Sequence, residues 1–498
     1  MDKLHHCDVK DAKELLQKIE KLRDDVIREG NISIEEWEPK ITRKRFLPSA
    51  ENLFHYLAAR RRDLRTLQED LIPWGLSSLG RMEAKSLATI EAVMATLEDI
   101  IECKKTVAHP PASKFYEGME ILENNTNEIF GNSDLYTRIM VTIGTEAVED
   151  QAFINQLVEN GMNIARINCS HDDETIWLEM IRMVKEAGKM YDREIKISME
   201  IAGPKIRIAW IYTVEKFPRV AQGEKIRVEK DQSEIGKHPD CKLVIGISIP
   251  EILRDIEMGH SVVLDDGSLE CSVIEKDEQG LTLFVDRVSG IDRRVKVEHG
   301  VNFPNSNFSL SILSEKDKQD MAFAVEHADI VGFSFIKTAE DMATVQNALK
   351  ELVGERADEI PLMAKIETAQ AVENLSSIIL QGASKNPLCI MIARGDLAIE
   401  AGYIRLSELQ QEIMWICEAA NIPTIWATEV LSNLIKRGIP TRAEITDATE
   451  GGSCECIMLN KGLYLPHACS MLRSILEKRQ KHKIKKTYML RALGIAKQ

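Results

Sequence analysis

Four charged residues at the ends of two apolar runs are the first candidates for chemistry. Residues 361–364 lead into Lys365 and Glu367, and residues 388–393 lead into Arg394 and Asp396. In extended chain, residues two apart share a face, so Lys365 and Glu367 point into one space. An ammonium, two carboxylates and a guanidinium at neighbouring strand ends describe a site for a metal and an anion. Mg²⁺ is commonly held by one or two carboxylates plus substrate oxygens. Either run alone is equally what a strand looks like where it meets water. The two together, with their surroundings, favour a site.

The elements that must position these residues form a series. Short apolar runs at 138–143, 162–167, 195–199, 330–335, 361–364, 388–393, 423–427 and 454–459 alternate with amphipathic stretches such as 148–159, 175–191 and 406–420. Near-continuous apolar runs are the mark of parallel strands buried on both faces. Eight such runs with helices between them predict an α/β fold, a (β/α)₈ TIM barrel, with an open doubly wound sheet as the alternative. The barrel is favoured by Arg166, Asn168, Glu200, Ser334, Lys365, Glu367, Asp396 and Thr428. All fall at or just past the C-terminal end of a run, the face on which barrel enzymes build their sites. Between Arg207 and Gly300 the pattern changes to alternating strands, with turns at Asp266-Gly267 and Gln279-Gly280. This predicts a small inserted β-barrel domain placed to act as a lid. The expected organisation is an N-terminal helical extension over 1–131, the barrel over 132–207 and 300–483, the lid over 208–299 and a basic tail over 484–498.

The N-terminal stretch has helical periodicity at 12–27, 51–71 and 82–101 and no catalytic cluster. Its arginines (Arg60, Arg61, Arg62, Arg65) read as a solvated helix face, Trp37 and Trp74 as packing anchors, and 104–114 as a linker. After a helix at 466–481, the tail reads as a solvated terminal helix. The chain has 498 residues and a net charge of −15, which argues against nucleic acid as a partner. No run of about 18 apolar residues is present to span a bilayer. No apolar secretory segment opens the chain, and the ten cysteines lack paired metal spacing, so a reducing, cytoplasmic setting is expected. His5, His6 and Cys7 read as a frayed terminus rather than a metal site, and Cys454 and Cys456 as core. The acidic run from Asp172 to Glu174 reads as a helix start.

The stretches MVTIGT, GMNIARINCSH, GPKIR, HGVNFPN, LSEKDKQDMAFAVEHADIVGFSFI, AKIE, IARGDLAIE, ATEVLSNLIKRGIPTRAEITD and IMLNKG, in that order, resemble the signatures of the pyruvate kinase family. The resemblance runs from about residue 138 to about residue 473. It implies phosphoryl transfer from phosphoenolpyruvate to ADP, with Mg²⁺ or Mn²⁺, in a cytoplasmic homo-oligomer. Lys365 matches the lysine that stabilises the moving phosphoryl group, Arg166 the phosphate-binding arginine, and Thr428 the threonine near the enolate carbon. Glu367 and Asp396 match the divalent-metal ligands. Ser334 falls on a substrate position, and Gly395 lies where backbone N–H groups meet the substrate carboxylate. Thr142, His171 and Arg207 match nucleotide positions, and Asn168 and Ser170 ligands of a monovalent cation such as K⁺.

The chain departs from the family pattern in four places. Glu200 stands where the family has an aspartate, altering the monovalent site. Lys205 resembles the members that work without K⁺, and its ammonium is expected to take that charge role. Glu298-His299 replaces a lysine pair before the lid returns to the barrel, and Asn460-Lys461-Gly462-Leu463 replaces a conventional turn at the rim. The family's C-terminal domain is not matched, so effector control by the usual route is not expected. Two rival readings follow from these changes. One is an enolate-forming enzyme on a related oxo-acid with an altered phosphate acceptor; the other is a catalytically silent binding or regulatory protein.

Overall fold

A computed structural model describes residues 9–102, 110, 111, 113–214, 216, 218–233, 237–304, 306, 308, 310–485, 487 and 488. Eight parallel strands close into a barrel: Arg138–Thr142, Ile164–Asn168, Lys196–Ile201, Ile330–Phe333, Leu362–Ile366, Leu388–Ala393, Thr424–Ala427 and Cys456–Leu459. Each pairs with its neighbours in chain order, and the last returns to the first through Arg138 to Cys456. The apolar runs form these strands because helices cover them outside and side chains fill them inside; Leu388–Ala393 is buried at every position. Met140, Ile164, Met363, Met391, Ile425 and Met458 pack the interior. Asp150, Asp173, Ser314, Thr338, Thr368 and Thr441 cap helices that lie between successive barrel strands, each accepting from a first-turn N–H. Asp173 starts the helix Glu174–Met190 as its acidic run predicts.

The insert between the third and fourth barrel strands is a seven-stranded sheet plus a two-stranded ribbon. Its edge strands, Ile208–Tyr212 and Val301–Asn302, are preceded by residues that meet each other: Arg207 bridges Gly300, and Val301 N donates to Ile206 O at 2.9 Å. The sheet therefore nearly closes on itself, around its own apolar core.

The N-terminal helices differ from a loosely attached extension. Val9–Trp37, Leu47–Arg60 and Ser86–Glu102 contribute to one continuous core with the barrel helices. Asn421, on the barrel, accepts from Ser49 Oγ at 2.8 Å and donates to Gly118 O at 2.9 Å. A further helix, Ser113–Phe130, ends with Ile129 and Phe130 in the inner barrel cluster. The single helix expected over 51–71 is broken between Arg60 and Arg65. Asp63 causes the break, since its carboxylate accepts from the Arg65 N–H at 3.0 Å and competes with the helical ladder. The arginines there pair locally: Arg61 and Arg62 with Glu29, Arg65 with Asp63, and Arg60 over the Trp415 ring. Trp37 and Trp74 pack against the core, and Cys454 and Cys456 are buried in it. Residues 5–7, most of the expected linker and residues 489–498 lie outside the described residues. The start of the tail is not a helix: Lys483–Ile484 pairs with Thr487–Tyr488, and Lys485 is buried against Glu455. Among the described residues, no helix is long and apolar enough to cross a membrane.

Candidate active site

The C-terminal ends of the barrel strands open into a cavity of about 500 Å³ beneath the insert. Thr142, Arg166, Asn168, Ser170, His171, Glu200, Arg207, Ser334, Lys365, Glu367, Asp396 and Thr428 all line it, as does Lys205. Residues separated by hundreds of positions meet because parallel strands in register end at one level. Asn168 sits opposite Glu200, and Glu200 opposite Gly332. Gly395 adjoins the cavity and donates its N–H to Thr428 Oγ1 at 2.8 Å. One of the four opening charges is elsewhere. Arg394 turns away from the cavity, stacking on Trp426 with 4.3 Å to the ring centroid and pairing with Asp447. It also donates to the carbonyls of Ala427 and Thr428, so it buttresses the loop carrying Thr428.

The floor is a network of buried ions. Arg166 grips Glu200 with two nitrogens, each at 2.7 Å, and donates to Thr142 Oγ1 at 3.0 Å. Lys365 Nζ lies 2.9 Å from Glu200 Oε1, 3.0 Å from Ser334 Oγ and 2.8 Å from Glu367 Oε1. The chain passes close to Ser334 at Gly203, where φ is +66° and a Cβ would stand 2.8 Å from the Ser334 carbonyl oxygen. Burial alone would raise the Glu200 carboxyl, but Arg166 and Lys365 hold it down to about 2. Burial works against the charge on Lys365 as well, yet Glu200 and Glu367 keep its pKa well above the ordinary lysine value. Glu367 moves the other way. Burial and the nearby Asp396 raise its carboxyl against the pull of Lys365.

That raised carboxyl bears on metal binding. Glu367 and Asp396 are two carboxylates on one cavity, and Asp396 disfavours the charge on Glu367, a penalty that a divalent cation held by both would relieve. The donor set fits Mg²⁺ or Mn²⁺ completed by substrate oxygens; among the described residues no cluster of three or more His, Cys, Asp or Glu forms a closed metal cage. In this structure Glu367 Oε2 accepts from the Phe335 N–H at 2.6 Å, and Lys205 Nζ sits 3.0 Å from Asp396 Oδ1. Around the expected monovalent site, Asn168 Oδ1 accepts from Ser170 Oγ at 2.7 Å, while both oxygens of Glu200 face cations. Thr428, Glu429 and Leu431 all have positive φ (65°, 56° and 52°), so the loop that presents Thr428 is strained, as loops at functional sites often are.

Toward the insert, Arg207 donates to Glu298 O at 2.9 Å, and Lys461, Lys436 and Asn460 complete the wall. Burial lowers the His171 pKa, helped by Lys461 and Arg207. Sequence reasoning missed Lys436 and the Phe335 backbone as parts of the site. It also missed the ion pairs of Glu200, for which the only sequence signal is two cations, Arg166 and Lys365, at the ends of other strands.

A family description, "Pyruvate kinase, barrel domain", matches residues 135–463. The chain is 31% identical over 329 residues to a pyruvate kinase of Dictyostelium discoideum, covering 65% of this chain and 61% of that protein. It is 30% identical over 364 residues to one of Clostridium perfringens, covering 72% and 73%. For one of Encephalitozoon cuniculi the figures are 30% over 348 residues, 68% and 74%. The chain thus spans between 61% and 74% of the length of these relatives. A barrel whose phosphate-binding and metal-binding candidates meet at one rim, and a match across most of its length, place the chain in the pyruvate kinase family.

Proposed function

We propose that the chain transfers a phosphoryl group from phosphoenolpyruvate to ADP, giving pyruvate and ATP, with Mg²⁺ or Mn²⁺ held by Glu367 and Asp396. One observation carries this reading: Arg166, Lys365 and Ser334 converge beside two carboxylates at the strand ends. In the reaction the bond from phosphorus to the enol oxygen breaks, a bond from phosphorus to a terminal diphosphate oxygen forms, and the enolate takes a proton on carbon. Such a transfer needs placement and positive charge more than covalent help. Arg166 and Lys365 hold the equatorial oxygens, and Ser334 steadies the ammonium. A divalent ion held by Glu367 and Asp396 would supply further positive charge to stabilise the developing anion. Thr428 passes a proton through water, since its own hydroxyl is a weak acid. The Gly395 backbone, whose N–H rests on Thr428 Oγ1 in this structure, lies beside the substrate carboxylate. Thr142, His171 and Arg207 receive the nucleotide, and the insert closes over both substrates to exclude water. Lys205, whose ammonium rests on Asp396, supplies within the same cavity the charge that K⁺ would otherwise bring. The active form is a cytoplasmic homo-oligomer, which light scattering of the purified chain checks.

The test is a coupled assay for pyruvate release with several nucleoside diphosphates, with and without K⁺. Release that depends on ADP and needs no K⁺ is expected. A marked rise when K⁺ replaces Na⁺ removes the role of Lys205. Exchange of pyruvate methyl protons without transfer points to an enolate-forming enzyme. Phosphoenolpyruvate binding without ATP under every condition points to a binding protein. Glu367→Gln should weaken Mn²⁺ binding about tenfold or more, read by spin-resonance titration; an unchanged titration takes Glu367 off the ligand set.

A further inference from the structure

One contact on the cavity floor is not needed for the transfer itself. Glu200, 2% exposed, takes two hydrogen bonds from Arg166, each at 2.7 Å, and a third from Lys365 at 2.9 Å. Ser334 Oγ stands 3.0 Å from the same ammonium. A guanidinium fork on two oxygens, with an ammonium closing the third side, is the donor set that phosphate takes. The carboxylate of Glu200 therefore lies where the oxygens of a phosphoryl group would be held. Two anions cannot share that place in a buried site, because like charges a few ångströms apart repel strongly there. Facing a guanidinium and an ammonium at hydrogen-bond distance, Glu200 is held there as a carboxylate.

We propose that Glu200 is an internal stand-in for the transferring phosphoryl group, filling the anion site between Arg166 and Lys365 and giving it up only to a phosphorylated ligand. The inference rests on reading Arg166 and Lys365 as the phosphate-holding pair. It makes Glu200 a residue that sets selectivity. A single carboxylate is displaced by a dianionic phosphate more readily than by a monoanion, so the site rejects simple carboxylates and halides. It also keeps the two cations apart and aimed while no substrate is bound.

The experiment is calorimetric titration of inorganic phosphate into the full chain, wild type against Glu200→Gln and Glu200→Asp, with the phosphate-induced rise in melting temperature as a second readout. Glu200→Gln should bind phosphate about tenfold tighter or more, because the competing charge is gone. Glu200→Asp should fall between the two, its shorter arm unable to span both cations. A purely structural Glu200 gives the opposite sign, since Arg166 and Lys365 would lose their aim. Weaker or unchanged phosphate binding in a folded Glu200→Gln protein overturns the proposal. If that variant does not fold, Glu200→Asp carries the test, and binding no tighter than wild type overturns it. Tighter phosphate binding in the variant without turnover of phosphoenolpyruvate by wild type would sink the kinase reading and leave the stand-in standing. Turnover by wild type with no gain in phosphate affinity does the reverse.

Discussion

The floor and the lid side of the cavity are built on different principles. On the floor Arg166, Glu200, Lys365 and Glu367 are each less than 10% exposed and held by several short contacts. On the lid side Arg207 is half-buried and makes one side-chain contact to a backbone oxygen. The histidine after Glu298 has its Nδ1 3.2 Å from Asp265 Oδ1, and Asp265 is shared with Arg293. Low dielectric makes the floor's charges strong and intolerant of loss, whereas water screens the lid side and leaves it adjustable. Under the proposed reaction, chemistry that must not drift would sit on the first surface and adaptation to a nucleotide on the second.

Lys365→Met should break the floor most severely. Turnover is expected to fall by about a thousandfold or more in the coupled assay, because a charge aimed at the transferring group is gone. The same change leaves Glu200 and Glu367 buried with one cation fewer, so unfolding stability should drop by about 3 kcal/mol. Near-normal turnover would remove the floor from the chemistry. The next effect is on acid stability. The Glu200 carboxyl lies at about 2 in the folded chain against an ordinary 4.5, so its contribution is present above pH 4.5 and is lost as pH falls from there toward 2. That limb amounts to about 3 kcal/mol in wild type and should be absent from Glu200→Gln, which starts lower and lacks this loss. Glu367 has the opposite sign: its raised carboxyl favours the fold when protonated, and this share is lost as pH rises through the raised value. Denaturant melts between pH 2 and pH 6 separate the two.

Much of the floor was legible in the sequence because the barrel's physics is local. Buried parallel strands read as apolar runs, and polar residues at or just past the end of a run reach the site face, which located Glu200, Ser334, Lys365, Asp396 and Thr428. The partners of those residues were not legible. Nothing in spacing says that a carboxylate at Glu200 reaches back to Arg166 and across to Lys365, 165 positions away, or that Arg394 turns outward onto Trp426. The same limit applies to the packing of the N-terminal helices into the barrel's core and to the burial of Lys485 on Glu455. These depend on distances set by closure of the barrel, and a periodicity carries no such information. The break at Asp63 is different, since a short acidic side chain that captures a backbone N–H was there to be read.

Two milder changes sharpen the boundary between the regions. Lys205 lies at the root of the insert and holds Asp396 at 3.0 Å, so a divalent ion must compete with its ammonium. Lys205→Met should tighten Mn²⁺ binding about tenfold at low salt, with the gain shrinking as ionic strength rises. Weaker Mn²⁺ binding in that variant would mean that Lys205 orients Asp396 for the metal rather than opposing it.

The smallest effect is expected from Arg207→Ala, and the reason is its setting. Its backbone is fixed by the bridge to Gly300 and by the Ser248 hydroxyl, which accepts from the Arg207 N–H at 3.0 Å. Truncation therefore removes a charge from the cavity wall without releasing the edge of the sheet. On the proposed reading, a half-buried guanidinium meeting diphosphate oxygens would contribute about 1 kcal/mol once screening is counted. The KM for ADP should rise about fivefold, more than kcat falls, and the gap between variant and wild type should close in high salt. A loss as large as that of Lys365→Met would put Arg207 on the desolvated side of the boundary. The insert would then have to close far enough over the cavity to strip water from its own root.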